Sequence, residues 1–191
     1  MIIRMKPFKV ALIVGSLRKE SFNKKIGKAI SQLKVAGMHF ESIAIGDLPL
    51  YNEDLEKDVP ATWRYFRETL KPYDAVLFIT PEYNRSVPGV LKNALDVGSR
   101  PYGESVWDNK PAAIISCTAG GLGAFGANHH LRQSLVFLNM PTLQQPEAYL
   151  SHAAKLFDAS GELIDVSTRD FLQSFVEKFE LWIERNIVKK S

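Results

Sequence analysis

The chain has 191 residues, enough for one ordinary domain (residues 1–191) with a substantial buried core. Its apolar fraction of 46% and charged fraction of 24% are those of a soluble globular protein, and a net charge of +3 is too mild to mark a nucleic-acid binder. The single cysteine, Cys117, excludes an internal disulfide and fits a reducing compartment. The first nine residues lack a signal-peptide apolar core and no run reaches membrane-span length, so a cytoplasmic protein is expected. The lysines at 24, 25 and 28 read as a solvated helix face, and those at 189 and 190 as a frayed tail.

The first predicted element is an apolar strand over residues 8–14. It runs directly into Gly15, Ser16, Leu17, Arg18 and, after two charged residues, Ser21, Phe22 and Asn23, with a helical pattern over 23–33. Strand, polar loop and helix start in that order aim backbone N–H groups and the positive end of a helix dipole at one point. Arg18 can fork onto phosphate oxygens, with Ser16, Ser21 and Asn23 donating further bonds. The loop reads as a cradle for a phosphate monoester. It has neither the G-x-G-x-x-G spacing of a dinucleotide fold nor the GK[ST] of a P-loop. An ordinary turn with Ser21 or Asn23 as helix cap is the competing reading.

A second strand over 40–45 carries Glu41 and Ser42 and reads as an edge. An irregular stretch over 46–59 leads to a helix over 61–70. A third strand over 75–80 is apolar throughout and opens onto a loop stiffened by Pro81 and Pro88. In that loop Tyr83 offers an aromatic face and Asn84 both a donor and an acceptor, a surface suited to a planar heterocycle with polar edges. Glu82 reads as solvated or paired with a cation. A helix over 88–97 and a strand over 112–117 follow. The next loop has four glycines in seven positions, Gly120, Gly121, Gly123 and Gly126, which permits close backbone approach and loop movement. A helix over 128–139, a weaker strand over 142–149 and a helix over 168–187 complete the chain. The alternation predicts right-handed βαβ units around a parallel sheet. The polar second strand supports the order 2-1-3-4-5, which opens a crevice at the ends of strands one and three.

Gly-Ser-Leu-Arg-Lys-x-Ser-x-Asn after the first strand, Pro-Glu-Tyr-Asn-x-Ser-x-Pro-Gly-x-Leu-Lys-Asn-Ala-x-Asp after the third, and the glycine-rich loop after the fourth resemble the NAD(P)H-dependent FMN reductases, closest to the branch of soluble quinone and chromate reductases and some azoreductases. The resemblance spans residues 9–187. It implies a flavodoxin-like α/β fold, a three-layer sandwich around a five-stranded parallel sheet, with FMN in the crevice and NADPH or NADH as donor. It places Ser16, Arg18, Ser21, Phe22 and Asn23 on the FMN phosphate. Pro81, Glu82, Tyr83 and Asn84 would line the isoalloxazine with Ser86 close by, and Ser116, Thr118, Gly120 and Gly121 would complete the pocket. It also implies a homodimer or homotetramer, with the segment from Gly98 to Tyr102 near the interface. Gly126 departs from the family, whose members often carry an arginine there, so contacts made from that side chain are not carried over.

The expected mechanism is a ping-pong transfer from NAD(P)H through FMN to a quinone, flavin, azo compound or chromate, with no acid–base dyad required. The competing reading is a non-enzymatic FMN protein, an electron shuttle or regulatory module. Flavodoxin-type shuttles resemble one another in a strongly acidic surface, whereas this chain is slightly basic. A response regulator would need acids where Gly15, Ser16 and Thr80 stand, and a Cys-x5-Arg phosphatase would need arginine at Gly123. His129 and His130 diverge on a helix and His39 and His152 are isolated, so no metal is expected.

Overall fold

The computed structural model describes residues 6–187, so the lysines at 189 and 190 and the first five residues lie outside the described residues. Five parallel strands form one sheet: β1 (Phe8–Val14), β2 (Met38–Ser42), β3 (Ala75–Thr80), β4 (Ala112–Cys117) and β5 (Ala148–Leu150). Their order is β2-β1-β3-β4-β5, the flavodoxin-like doubly wound topology expected. Five helices cover it: α1 (Phe22–Gln32), α2 (Ala61–Leu70), α3 (Gly89–Gly98), α4 (Phe125–Phe137) and α5 (Val166–Asn186).

Alternate residues of each central strand feed two cores. Val10 and Leu12 of β1, with Leu77 and Ile79 of β3, pack against Ile26 and Ile30 of α1 and Phe175 and Phe179 of α5. Ala11 and Ile13, with Val76 and Phe78, meet Trp63 and Phe66 of α2, Leu91 and Leu95 of α3 and Leu131 of α4. Every residue of β3 and β4 is buried, as both-face coverage demands.

Three boundaries differ from the sequence expectation. The β2 ladder runs from Met38 opposite Phe8 to Ser42 opposite Leu12, two to three residues earlier than its apolar peak. Ile45 leaves the edge and packs into the α2–α3 core, so its apolarity reports burial rather than pairing. The expected strand over 142–149 is broken: Thr142 bridges Ala112, and regular pairing resumes only at Ala148 opposite Ile115. Pro141 and Pro146 have no N–H to give the ladder. Helix α4 starts at Phe125, three residues ahead of expectation, although Ala124 at φ 58° provides no side-chain cap. Among the described residues no helix is long and apolar enough to cross a membrane.

Candidate functional site

β1 and β3 are neighbours, with Val14 opposite Ile79, yet the chain leaves β1 for α1 on one face and β3 for α3 on the other. The divergence opens the crevice at their C-terminal ends. Gly15 extends the pairing by one bond, donating to the Ile79 carbonyl at 2.8 Å. A Cβ on Gly15 would lie 3.1 Å from the Leu91 side chain, so the turn into the crevice is tightly packed.

In the first loop Ser16 and Asn23 are buried while Leu17, Arg18 and Lys19 are exposed. The Ser21 hydroxyl accepts from Lys24 N at 3.4 Å and caps α1. Asn23 Nδ2 donates to the Cys117 carbonyl at 3.2 Å, tying the first loop to the root of the third. Because a carbonyl only accepts, that bond fixes the amide orientation and leaves Asn23 Oδ1 buried with no partner. The Phe22 ring stacks on Phe157 at 6.2 Å, so its side chain belongs to the core and only its backbone remains for a ligand. Arg18 has no hydrogen-bond or ion-pair partner among the described residues.

The second loop is a two-residue hairpin. Tyr83 and Ser86 exchange backbone bonds of 2.9 and 3.0 Å, and between them Asn84 and Arg85 both have positive φ, 51° and 64°. That is the mirror-image turn favoured where a short hairpin must twist. Tyr83 is half exposed and Asn84 exposed at the tip, with Pro81 partly buried behind them. Both oxygens of the Glu82 carboxylate are engaged: one accepts from Arg85 Nη1 at 3.1 Å and the other from Ala127 N, in the first turn of α4, at 3.0 Å. What Glu82 leaves open to the crevice is backbone. Ser86 Oγ pairs with His130 Nδ1 at 2.7 Å, a link to α4 that no sequence pattern suggested.

The third loop is tied to the residues that follow β5. Thr118 N donates to the Leu150 carbonyl at 3.0 Å, His152 N to Gly120 at 3.0 Å and Ser151 Oγ to Gly121 at 2.9 Å. Gly123, at φ 58°, needs its missing side chain, because a Cβ would stand 2.7 Å from that of Tyr149. Thr118, Gly120 and Gly121 reach the surface, but Ser116 does not. Its hydroxyl donates to the Gly123 carbonyl at 2.7 Å and accepts from Asn128 Nδ2 at 3.2 Å. The Ser116 side chain is fully buried and braces the loop from beneath. Burial pushes the Cys117 thiol up to about 12, which leaves it inert.

Two further groups went unread in the sequence. Asn93 of α3 donates to the Leu48 and Pro49 carbonyls and accepts from Tyr51 N, so one side chain anchors the irregular stretch after β2. Phe125, His129 and Tyr149 form an aromatic cluster beside the third loop, with ring centroids 4.2 and 5.3 Å from Phe125. Burial, then the neighbouring Glu147 carboxylate, pushes the Tyr149 hydroxyl up to about 12. Among the described residues no group of three or more histidine, cysteine or acidic side chains is placed to hold a metal ion.

The comparisons agree with this geometry. A sequence model of the NADPH-dependent FMN reductase family matches residues 8–155, a span that includes all three loops. The chain is 58% identical over 180 residues to a quinone reductase of Pseudomonas putida, covering 94% of this chain and 96% of that one. It is 44% identical over 175 residues to a 2-hydroxy-1,4-benzoquinone reductase of a Burkholderia species, covering 92% and 96%. It superimposes on the FerB flavoenzyme NAD(P)H:(acceptor) oxidoreductase of Paracoccus denitrificans with a TM-score of 0.89 at 42% identity, over 95% of this chain and 100% of that structure. Loop motifs, strand order and relatives converge: the chain belongs to the NADPH-dependent FMN reductase family, as an FMN-dependent oxidoreductase supplied by NAD(P)H.

Proposed function

We propose that FMN lies across the crevice between the ends of β1 and β3, and that the protein uses it to reduce quinones with NAD(P)H. The observation that carries this reading is the start of α1. Its first turn holds Lys24 and Lys25 and no acid; Lys25 meets Glu20 ahead of the cap at 3.8 Å and Lys24 the Leu17 carbonyl at 3.2 Å, and the unpaired Arg18 stands just before them. A helix tolerates that arrangement when an anion completes it.

Ser16, Arg18, Ser21 and Asn23, with the Phe22 amide, are the groups assigned to the phosphate. The buried Asn23 Oδ1 lacks a donor, and a ribityl hydroxyl of FMN is a donor of the right kind. Pro81, the Glu82 backbone, Tyr83 and Asn84 are assigned to the ring edge with Ser86 behind them, and Thr118, Gly120 and Gly121 to the opposite wall. Bound there, FMN would supply the hydride chemistry between NAD(P)H and a quinone, and the order we propose is ping-pong. The protein's part is to hold the ring with one face open beside Tyr83, where a flat donor and then a flat acceptor can stack. The relatives' printed names, quinone reductase and 2-hydroxy-1,4-benzoquinone reductase, support quinones as acceptors. Flavins, azo dyes and chromate are further acceptors consistent with so open a site.

Initial rates at several fixed quinone concentrations test the proposal. Parallel double-reciprocal lines against NADPH or NADH are expected. Intersecting lines overturn the ping-pong order, and absence of turnover with any quinone overturns the acceptor class. We also propose a cytoplasmic homodimer or homotetramer, supported by exposed Tyr102, Val136 and Phe137. Sedimentation equilibrium should return at least twice 21.5 kDa.

A further inference from the structure

Helix α4 starts without a side-chain cap of its own, since Ala124 at its N-terminus has φ 58° and no polar side chain. The acceptor that meets its first turn comes from 45 residues away, where Glu82 Oε2 takes the hydrogen of Ala127 N at 3.0 Å. The same carboxylate, through Oε1, pairs with Arg85 at 3.1 Å. Arg85 needs that hold: it sits at φ 64°, a region that a residue with a long side chain enters only when its surroundings impose it. Isolated two-stranded hairpins are marginal in water, and this one presents Tyr83 and Asn84 at its tip. The Glu82 side chain is only 14% exposed, so its bond to Ala127 N is sheltered from solvent, while the Arg85 guanidinium, 72% exposed, meets the other oxygen at the surface.

Gly126 completes the arrangement. A Cβ there would lie 2.8 Å from Glu82 Oε2, the movable end of that side chain, and 3.2 Å from the Arg85 carbonyl, so a side chain at 126 would push on the carboxylate and on the hairpin backbone. A glycine inside a helix's first turn is otherwise a cost to that helix. Its presence, the missing local cap and the left-handed Arg85 have one common explanation.

We propose that Glu82 is a positioning residue: by capping α4 and clamping Arg85 with one carboxylate, it sets the pose of the Tyr83–Asn84 tip against which the flavin ring lies, and Gly126 is the vacancy that admits it. This rests on the reading of the crevice as the FMN site. Three variants test it: Glu82→Ala, Glu82→Gln and Gly126→Ala. FMN dissociation constants come from quenching of flavin fluorescence, and backbone hydrogen exchange is followed at Tyr83, Ser86 and Ala127 in the FMN-free proteins. Glu82→Ala and Gly126→Ala should weaken FMN binding about tenfold, the loss expected when a charged hydrogen-bond acceptor is removed or displaced. Exchange at Tyr83 and Ser86 should quicken together with Ala127. Glu82→Gln keeps an acceptor for Ala127 N but turns an amide donor toward the Arg85 guanidinium, so it should fall between the parent and Glu82→Ala. The proposal is overturned if Ala127 alone exchanges faster while the hairpin amides and FMN affinity hold within twofold. It is equally overturned if Glu82→Gln is as weak as Glu82→Ala. A parent protein that binds no FMN would instead remove the flavin reading, with the exchange measurements still deciding whether Glu82 governs the hairpin.

Discussion

Arg18 and Ser116 were both named by motif, and the structure separates them. Arg18 is exposed beside the start of α1 with no partner among the described residues, whereas Ser116 is sealed and bonded to Gly123 and Asn128. The difference was partly legible. Ser116 lies inside a strand read as apolar and buried on both faces, where a side chain packs against a covering layer. Phe22 and Glu82 make the same point from loops: their backbones border the site while their side chains are committed to Phe157 and to α4. A motif marks the position, and neighbours distant in sequence decide which atoms are free. On the assignment of Arg18 to phosphate, Arg18→Ala should weaken FMN binding roughly 10- to 100-fold, the range for a charge-assisted hydrogen bond. Arg18→Lys should recover part of the loss, since an ammonium keeps the charge without the fork. Isothermal titration of the FMN-free variants with FMN measures both, and unchanged affinity in Arg18→Ala would remove Arg18 from the phosphate site.

At the scale of elements, caps written locally were readable and caps supplied from afar were not. Ser21 before α1 was recognised as a candidate cap and accepts from Lys24 N, consistent with both its capping and cradle readings. The start of α4 was missed by three residues because its acceptor, Glu82, lies on another loop. Buried charge was equally silent. Arg67 of α2, 6% exposed, gives both guanidinium nitrogens to Glu56 at 3.1 and 2.6 Å and its Nε to the Val97 carbonyl at the end of α3. Replacing it with methionine strands Glu56 and that carbonyl, so urea unfolding should register a loss of about 3 kcal/mol. On α5, Glu180 is held above the usual carboxylate range, first by burial and then by Glu184 and Glu177. A carboxyl whose folded value is raised favours the fold below its unfolded value, and loses that contribution as pH rises through the folded one. Glu180→Gln should therefore raise the melting temperature at pH 7. The gain should vanish below about pH 4, where the glutamate is protonated in folded and unfolded chains alike. Calorimetry across that interval checks the sign.

For the whole molecule, the doubly wound sheet was legible because burial differs between strands. Continuous apolar runs marked β1, β3 and β4 as covered on both faces, and Glu41 and Ser42 marked β2 as an edge. The far edge was harder: β5 pairs through only three residues, and prolines on its approach interrupt the pattern. The crevice followed from strand order, but the firmness of its walls did not. Asn23 ties the first loop to the third, Glu82 and Ser86 fasten the second to α4, and Gly120 and Gly121 are pinned to residues 151 and 152. Those links join segments far apart in the chain, and composition does not encode them. A preformed cradle of this kind fits a cofactor that stays bound while an electron donor and an acceptor come and go. The central claim is that this crevice holds an FMN that exchanges electrons with both NAD(P)H and quinone. The most direct test is an anaerobic titration of the FMN-loaded protein, followed by flavin absorbance. Stoichiometric NADPH or NADH should bleach the band near-completely, and one equivalent of a benzoquinone should restore it. A flavin that stays oxidised under both nicotinamides, or that quinone fails to reoxidise, would contradict the account.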